Sequence, residues 1–174
     1  LVEIDKPSCE TLRANRPDWN VVQGDVREFD GRAFRGADLL SGGVPCPPFS
    51  KAGKQLGRAD DRDLFPEALR LVHEINPKAV MLENVRGFLD PVFLDYREWL
   101  GERFESLGYV MDIRLLHASD FGVSQLRPRV VIVAVQRELD TSFDWPTPTT
   151  FPHVPVGELL RDQMAANGWN GVGD

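Results

Sequence analysis

Apolar and polar positions along this chain fall into blocks whose period changes from two to about 3.6 and back. Leu1 to Asp5 reads as a short strand ending in acids. Pro7 suits the first turn of a helix running towards Asn15, with Pro17 just beyond it. Asn20 to Gln23 is a second strand, closed by Gly24-Asp25, and Ala37 to Ser41 is a third, followed by a Gly- and charge-rich loop through Asp61. Asp63 is placed to cap a helix in which Phe65, Leu69 and Val72 recur at helical spacing. Pro66 falls within its first turn, and Asn76-Pro77 stops it. Lys78 to Glu83 is a buried strand. Pro91 opens a helix with Phe93, Tyr96, Leu100, Phe104 and Leu107 on one stripe and Gly108 as its stop. Val110 to Leu116 alternates, with Met111, Ile113 and Leu115 opposite Asp112 and Arg114. Val130 to Val135 is apolar throughout, the pattern of a central or doubly covered strand. Strands and helices taken in turn predict an α/β layered fold with a mostly parallel sheet. From Phe143 onward proline is frequent and the periodicity weakens.

Bulk properties add limits. The chain has 174 residues, 42% hydrophobic and 27% charged, the size and balance of one ordinary globular domain. Its two cysteines, Cys9 and Cys46, allow at most one bridge and exclude a four-thiolate zinc site, which favours a reducing, intracellular setting. A formal net charge of −7 counts against a broadly basic nucleic-acid-binding surface. Charge is local, however: Lys51, Lys54, Arg58 and Arg62 face only Asp60 and Asp61 in their segment, and Arg127 and Arg129 make a second positive site.

Candidate chemistry sits at strand ends. Cys46 lies in Pro45-Cys46-Pro47-Pro48, after an apolar strand and Gly42-Gly43. Prolines on both sides leave it few backbone freedoms, the arrangement of a presented nucleophile. Cys9, three residues from Leu12 on a helix, reads instead as a small buried hydrophobe. Glu83 ends a buried strand, where open α/β sheets place their ligands. Burial would favour its protonated form, and a simple ion pair with Arg86 is the alternative. Gln125, Arg127 and Arg129 alternate into the last strand, which puts all three on one face. Two guanidiniums there suit a phosphate, a base oxygen or Glu83, or else are solvated. Glu3, Asp5 and Asp25 end strands, as ribose-binding acids do, though acids at such positions are commonly just solvated. His73, His117 and His153 lack metal-ligand spacing.

Three segments in this order, Pro45-Cys46-Pro47-Pro48 running on to Ser50, Glu83-Asn84-Val85, and Gln125-Leu126-Arg127-Pro128-Arg129, resemble the DNA cytosine-5 methyltransferase family. The likeness runs from Leu1 to about Pro148. Gly57 to Phe65 resembles the family's Asp-Arg-x-x-Leu-Phe stretch, and Trp145-Pro146-Thr147-Pro148 its exit towards the target-recognition region. The resemblance implies a Rossmann-like, S-adenosylmethionine-dependent methyltransferase fold. Residues 1–148 would form a partial catalytic domain, and 149–174 a linker and the start of target recognition.

The resemblance also assigns roles. Cys46 would add to C6 of a cytosine flipped from double-stranded DNA. Glu83 would contact N3 and the exocyclic amine, and Arg127 and Arg129 would hold the base oxygen, the backbone and Glu83. Pro45, Ser50, Asn84 and Gln125 would line the substrate. For the cofactor, Glu3 matches the ribose-binding acid and Asp25 with Val26 the adenine edge. Ile4 stands where many relatives place an aromatic. No metal is implied. The setting implied is the bacterial cytoplasm, associated with the nucleoid, in restriction-modification. The family's Phe-x-Gly-x-Gly motif, its target-recognition region and its last two motifs are not found. The chain is therefore expected to be truncated, inactive alone and prone to self-associate through exposed apolar edges. Within the same chemistry the substrate could be RNA, as in relatives of the tRNA type. A non-catalytic binding subunit would be expected to lose the nucleophile or its acid, and this chain keeps Cys46, Glu83 and both arginines. A redox thiol would want a resolving cysteine nearby, and there is none.

Overall fold

The computed structural model describes residues 1–45, 63–139, 143–149 and 154–169. Strands β1 (Val2–Glu3) and β2 (Val22–Gln23) pair in parallel, with Glu3 opposite Gln23. Helix α1 (Lys6–Asn15) connects them. Asp5 does not extend β1. It caps α1, its carboxylate accepting the Ser8 N–H at 2.9 Å and the Ser8 hydroxyl at 2.7 Å, and these bonds hold its pKa below the usual carboxylate range. Cys9 is fully buried, and its Sγ donates to the Glu3 carbonyl, as fits a structural thiol.

The second sheet contains β3 (Leu39–Gly43), β4 (Ala79–Val85), β5 (Tyr109–His117) and β6 (Pro128–Gln136), in the order β3-β4-β6-β5. β3 and β4 are parallel, from Leu39 opposite Ala79 to Gly43 opposite Glu83. β6 is inserted between β4 and β5 and runs antiparallel to both. The link 118–127, with a 3₁₀ turn at Ala118–Phe121, returns β6 directly alongside β5. A parallel return would need a longer crossover, usually helical. The expected α/β layering and parallel pairs are thus present, with β6 as an antiparallel insertion. No ladder joins the two sheets among the described residues.

Period-two alternation divides the larger sheet into two faces. One carries Val80, Leu82, Val130, Ile132 and Ala134, all essentially buried under α2 (Phe65–Ile75) and α3 (Leu94–Ser106). Phe65, Val72, Leu100 and Phe104 supply the helical side of this core. Each such burial contributes about 1.5–3 kcal/mol before the entropy of ordering is set against it. Phe65 stacks on Phe88 at 5.2 Å between centroids, with the Tyr96 ring edge-on to both. α2 starts at Leu64 as the cap residue, one later than expected. Asp63 still serves the helix start, accepting from the Phe65 N–H at 3.0 Å and from the Tyr96 hydroxyl at 2.6 Å. Asn76 ends the helix in the left-handed conformation, φ 48°.

The opposite face is partly open: Leu39, Met81 and Val110 are exposed, Met81 at 45%. Residues 143–149 run along β5. There the Trp145 indole N–H donates to Asp112 Oδ2 at 2.6 Å, and the Arg114 guanidinium lies 5.1 Å from the ring centre. Two short helices, α4 (Val156–Leu159) and α5 (Arg161–Ala166), bury no side chain. Among the described residues no helix is long and apolar enough to cross a membrane.

Candidate active site

Glu83 lies near the carboxyl end of β4 on the partly open face, and its side chain is 45% exposed. Among the described residues this carboxylate is only partly buried. A cation lies against it: Arg129 Nε is 2.5 Å from Glu83 Oε1, and Arg129 Nη1 also donates to the Pro128 carbonyl at 2.9 Å. The register explains the meeting. Glu83 is opposite Val131, which puts Arg129 on the diagonal of the same face, within reach of a long side chain. Gly43, opposite Glu83, has no side chain to crowd the carboxylate. A Cβ there would sit 3.6 Å from Oε2.

Gln125 and Arg127 do not share that face. Arg127 takes φ 33°, outside the extended range, so the alternation expected from Gln125 through Arg129 begins only at Pro128. Both side chains are exposed on the turn before β6. Arg129 alone of the three is carried by the strand.

Asn84 also departs from expectation. It neighbours Glu83 on a strand and so points to the other face, where it is 1% exposed. Its Nδ2 donates to the Val44 carbonyl at 3.4 Å and its Oδ1 accepts from the Val85 N–H at 2.8 Å. The Val44 N–H in turn donates to the Glu83 carbonyl at 3.2 Å. Val44 is therefore held on both sides. Pro45 follows it at the end of the described segment, just beyond the carboxyl end of the β3–β4 pair. Cys46 and Ser50 lie outside the described residues.

The four residues expected at a cofactor gather at the carboxyl ends of β1 and β2. Glu3 Oε1 accepts from the Asp5 N–H at 2.8 Å, and its second carboxylate oxygen has no partner among the described residues. Ile4 is 65% exposed. Asp25 caps a 3₁₀ turn at Val26–Glu28, accepting the Arg27 N–H at 2.9 Å and meeting Arg27 Nη1 at 3.3 Å. The Val26 carbonyl accepts from Arg70 Nη2 at 2.8 Å. Sequence patterning did not single out Arg70, although Glu67, Arg70 and Glu74 stand at the i+3 and i+4 spacings that mark paired side chains on a helix. Among the described residues no three His, Cys, Asp or Glu side chains gather as a metal site.

Comparison with known proteins gives a consistent picture. The family model described as C-5 cytosine-specific DNA methylase matches residues 1–171. Type II methyltransferase M.NgoMIV of Neisseria gonorrhoeae is 60% identical over 172 residues, which is 99% of this chain and 55% of that protein. Type II methyltransferase M.NaeI of Lentzea aerocolonigenes is 51% identical, covering 98% of this chain and 42% of that protein. The chain thus spans about half the length of these relatives. Among solved structures, a protein described as a DNA modification methyltransferase encoded within an Escherichia coli prophage superposes with a TM-score of 0.73 at 25% identity. That match covers 99% of this chain and 48% of the other. Spodoptera frugiperda DNMT2 shares the fold with a TM-score of 0.67 at 22% identity, covering 88% and 48%.

Proposed function

The chain belongs to the C-5 cytosine-specific DNA methylase family, and we propose that the protein carrying it methylates C5 of cytosine in double-stranded DNA through a covalent cysteine adduct. The observation that carries this reading is the Glu83–Arg129 pair beside the end of β3, from which the chain continues through Pro45 to Cys46. An acid oriented by a guanidinium, together with the proline-framed cysteine that the sequence places after β3, supplies the two groups that nucleophilic attack on a protonated pyrimidine requires.

In this reading the Cys46 thiolate bonds to C6 of a cytosine turned out of the duplex. Glu83 holds the proton at N3, which draws the electron pair of the C5–C6 bond onto C5. Arg129 keeps the carboxyl group aimed and balances its charge. S-adenosylmethionine, when bound, supplies the electrophilic methyl group. C5 bonds to that methyl carbon as the carbon's bond to sulfur breaks, and loss of the C5 proton to water then restores the C5–C6 double bond and expels the Cys46 thiolate. Arg127 and Gln125, exposed on the turn before β6, are free to meet the nucleic acid, and Pro45 and Ser50, which flank Cys46 in the sequence, are assigned to the substrate as well. Asn84 is reassigned from substrate contact to holding Val44.

The residues at β1 and β2 fit the cofactor. Glu3 offers a carboxylate oxygen, unpartnered among the described residues, for ribose hydroxyls, Ile4 an exposed apolar surface for one face of adenine, and Asp25 with Val26 the polar edge. The names of the similar proteins, Type II methyltransferases of bacteria, favour a restriction-modification role, and action on chromosomal DNA at the nucleoid is proposed with it.

The test is covalent trapping. The full-length protein is incubated with the cofactor and duplex DNA containing 5-fluorocytosine, whose C5 substituent cannot leave as a proton. A stable adduct on Cys46, lost in Cys46→Ser, is expected. An adduct only with 5-fluorocytosine RNA would move the substrate to RNA, and no adduct with either would overturn the reading.

A further inference from the structure

Arg70 of α2 reaches out of its own helix to grip the segment that follows β2. Its Nη2 donates to the Val26 carbonyl at 2.8 Å and its Nη1 to the Phe29 carbonyl at 3.0 Å. On the helix side, Nε meets Glu67 Oε2 at 2.7 Å and Nη1 meets Glu74 Oε1 at 2.8 Å. The two carboxylates raise the arginine's affinity for its proton, and Arg70 in turn holds Glu74 below the usual carboxylate range. The other Glu74 oxygen accepts the Gly31 N–H at 2.8 Å. The segment is pressed close: a Cβ on Gly31 would lie 2.9 Å from Ile75 Cγ1 and 3.0 Å from Leu71 Cδ2.

The fork geometry matters. A guanidinium has five donors in one plane, enough to serve two carboxylates and two carbonyls together, whereas an ammonium is a point charge on a flexible stem. Glu67 and Glu74 fix the fork's plane before it meets the carbonyls. The carbonyl it grips most closely belongs to Val26, immediately after Asp25. We infer that Arg70 is a positioning residue for the cofactor, setting the place of Asp25 and Val26 from the helix behind them. This rests on the cofactor site proposed above, whose own residues are Glu3, Ile4, Asp25 and Val26.

Isothermal titration of the full-length protein with S-adenosylhomocysteine tests it. Arg70→Met should weaken binding about tenfold, while kcat at saturating S-adenosylmethionine and the affinity for DNA stay within about twofold. Arg70→Lys should fall between, since it keeps the charge but cannot span both carbonyls. It also serves if the methionine variant does not fold. Arg97→Met is the matched control: it removes a similar clamp, on the Phe88 carbonyl at 2.7 Å and the Asp90 carbonyl at 3.1 Å, far along the chain from the cofactor residues. Unchanged affinity in folded Arg70 variants, or equal weakening in Arg97→Met, overturns the inference. If Asp25→Ala weakens binding and the Arg70 variants do not, only the positioning role falls. A wild-type protein without affinity for the ligand overturns the cofactor site and the inference together.

Discussion

Arg129 and Glu83, on neighbouring antiparallel strands, form a charge-assisted contact of 2.5 Å on the face of the sheet that the core helices leave uncovered. With these side chains 30% and 45% exposed, the pair adds only about 0–1 kcal/mol to stability. In the proposed reaction its worth lies in aiming the carboxyl group. Arg129→Met should therefore slow methyl transfer by about two orders of magnitude while shifting the unfolding midpoint little. Glu83→Gln should cost as much or more. Single-turnover kinetics paired with thermal denaturation separates the two effects. A large stability loss with unchanged kinetics would count against the assigned role.

Asn84 ties the buried end of β4 to Val44, two residues before Cys46. Asn84→Ala leaves the Val44 carbonyl without that donor and the Val85 N–H without its side-chain acceptor. The expected loss is about 1–3 kcal/mol in urea unfolding. The rate of adduct formation at Cys46 should fall with it, at unchanged cofactor affinity. A variant as stable and as reactive as wild type would show that the nucleophile segment is held by other contacts.

Tyr109 is almost fully buried, and its hydroxyl donates to the Pro77 carbonyl at 2.6 Å, with Gln136 and Asn76 alongside. Burial pushes the phenol above its ordinary value of 10.0. The folded state then keeps the proton to higher pH than the unfolded chain does. The stabilisation is complete below about pH 10 and is lost as pH rises through the folded value. Tyr109→Phe should be less stable by about 1–2 kcal/mol at neutral pH and should lack this alkaline loss. Urea melts from pH 7 to 11 give the comparison. Identical pH profiles would mean that the phenol titrates alike in both states.

Leu39, Met81 and Val110 expose apolar surface on the face away from α2 and α3. The isolated 174-residue chain should therefore self-associate with rising concentration, and Met81→Lys should weaken that association. A clean monomer at high concentration in size-exclusion chromatography with light scattering would contradict it.

Much of this architecture was legible in the amino-acid order, because it depends on contacts between near neighbours. The stripe from Phe93 to Leu107, the alternation in β5 and the Asn76-Pro77 stop each state a local period or a local backbone restriction, and each element is found within a few residues of its expected limits. The same period of two already separated Glu83 from Asn84, since adjacent strand residues cannot share a face. Which of them met the core was decided by α2 and α3 covering the Asn84 side. The antiparallel sense of β6, the choice of Arg129 rather than Arg86 as the cation on Glu83, and the grip of Arg70 on a carbonyl 44 residues away are likewise tertiary. Each joins groups distant in sequence, whose meeting depends on strand register and chain direction, and no local pattern encodes either. At Arg127 a single backbone angle sufficed to undo a face that alternation alone had promised.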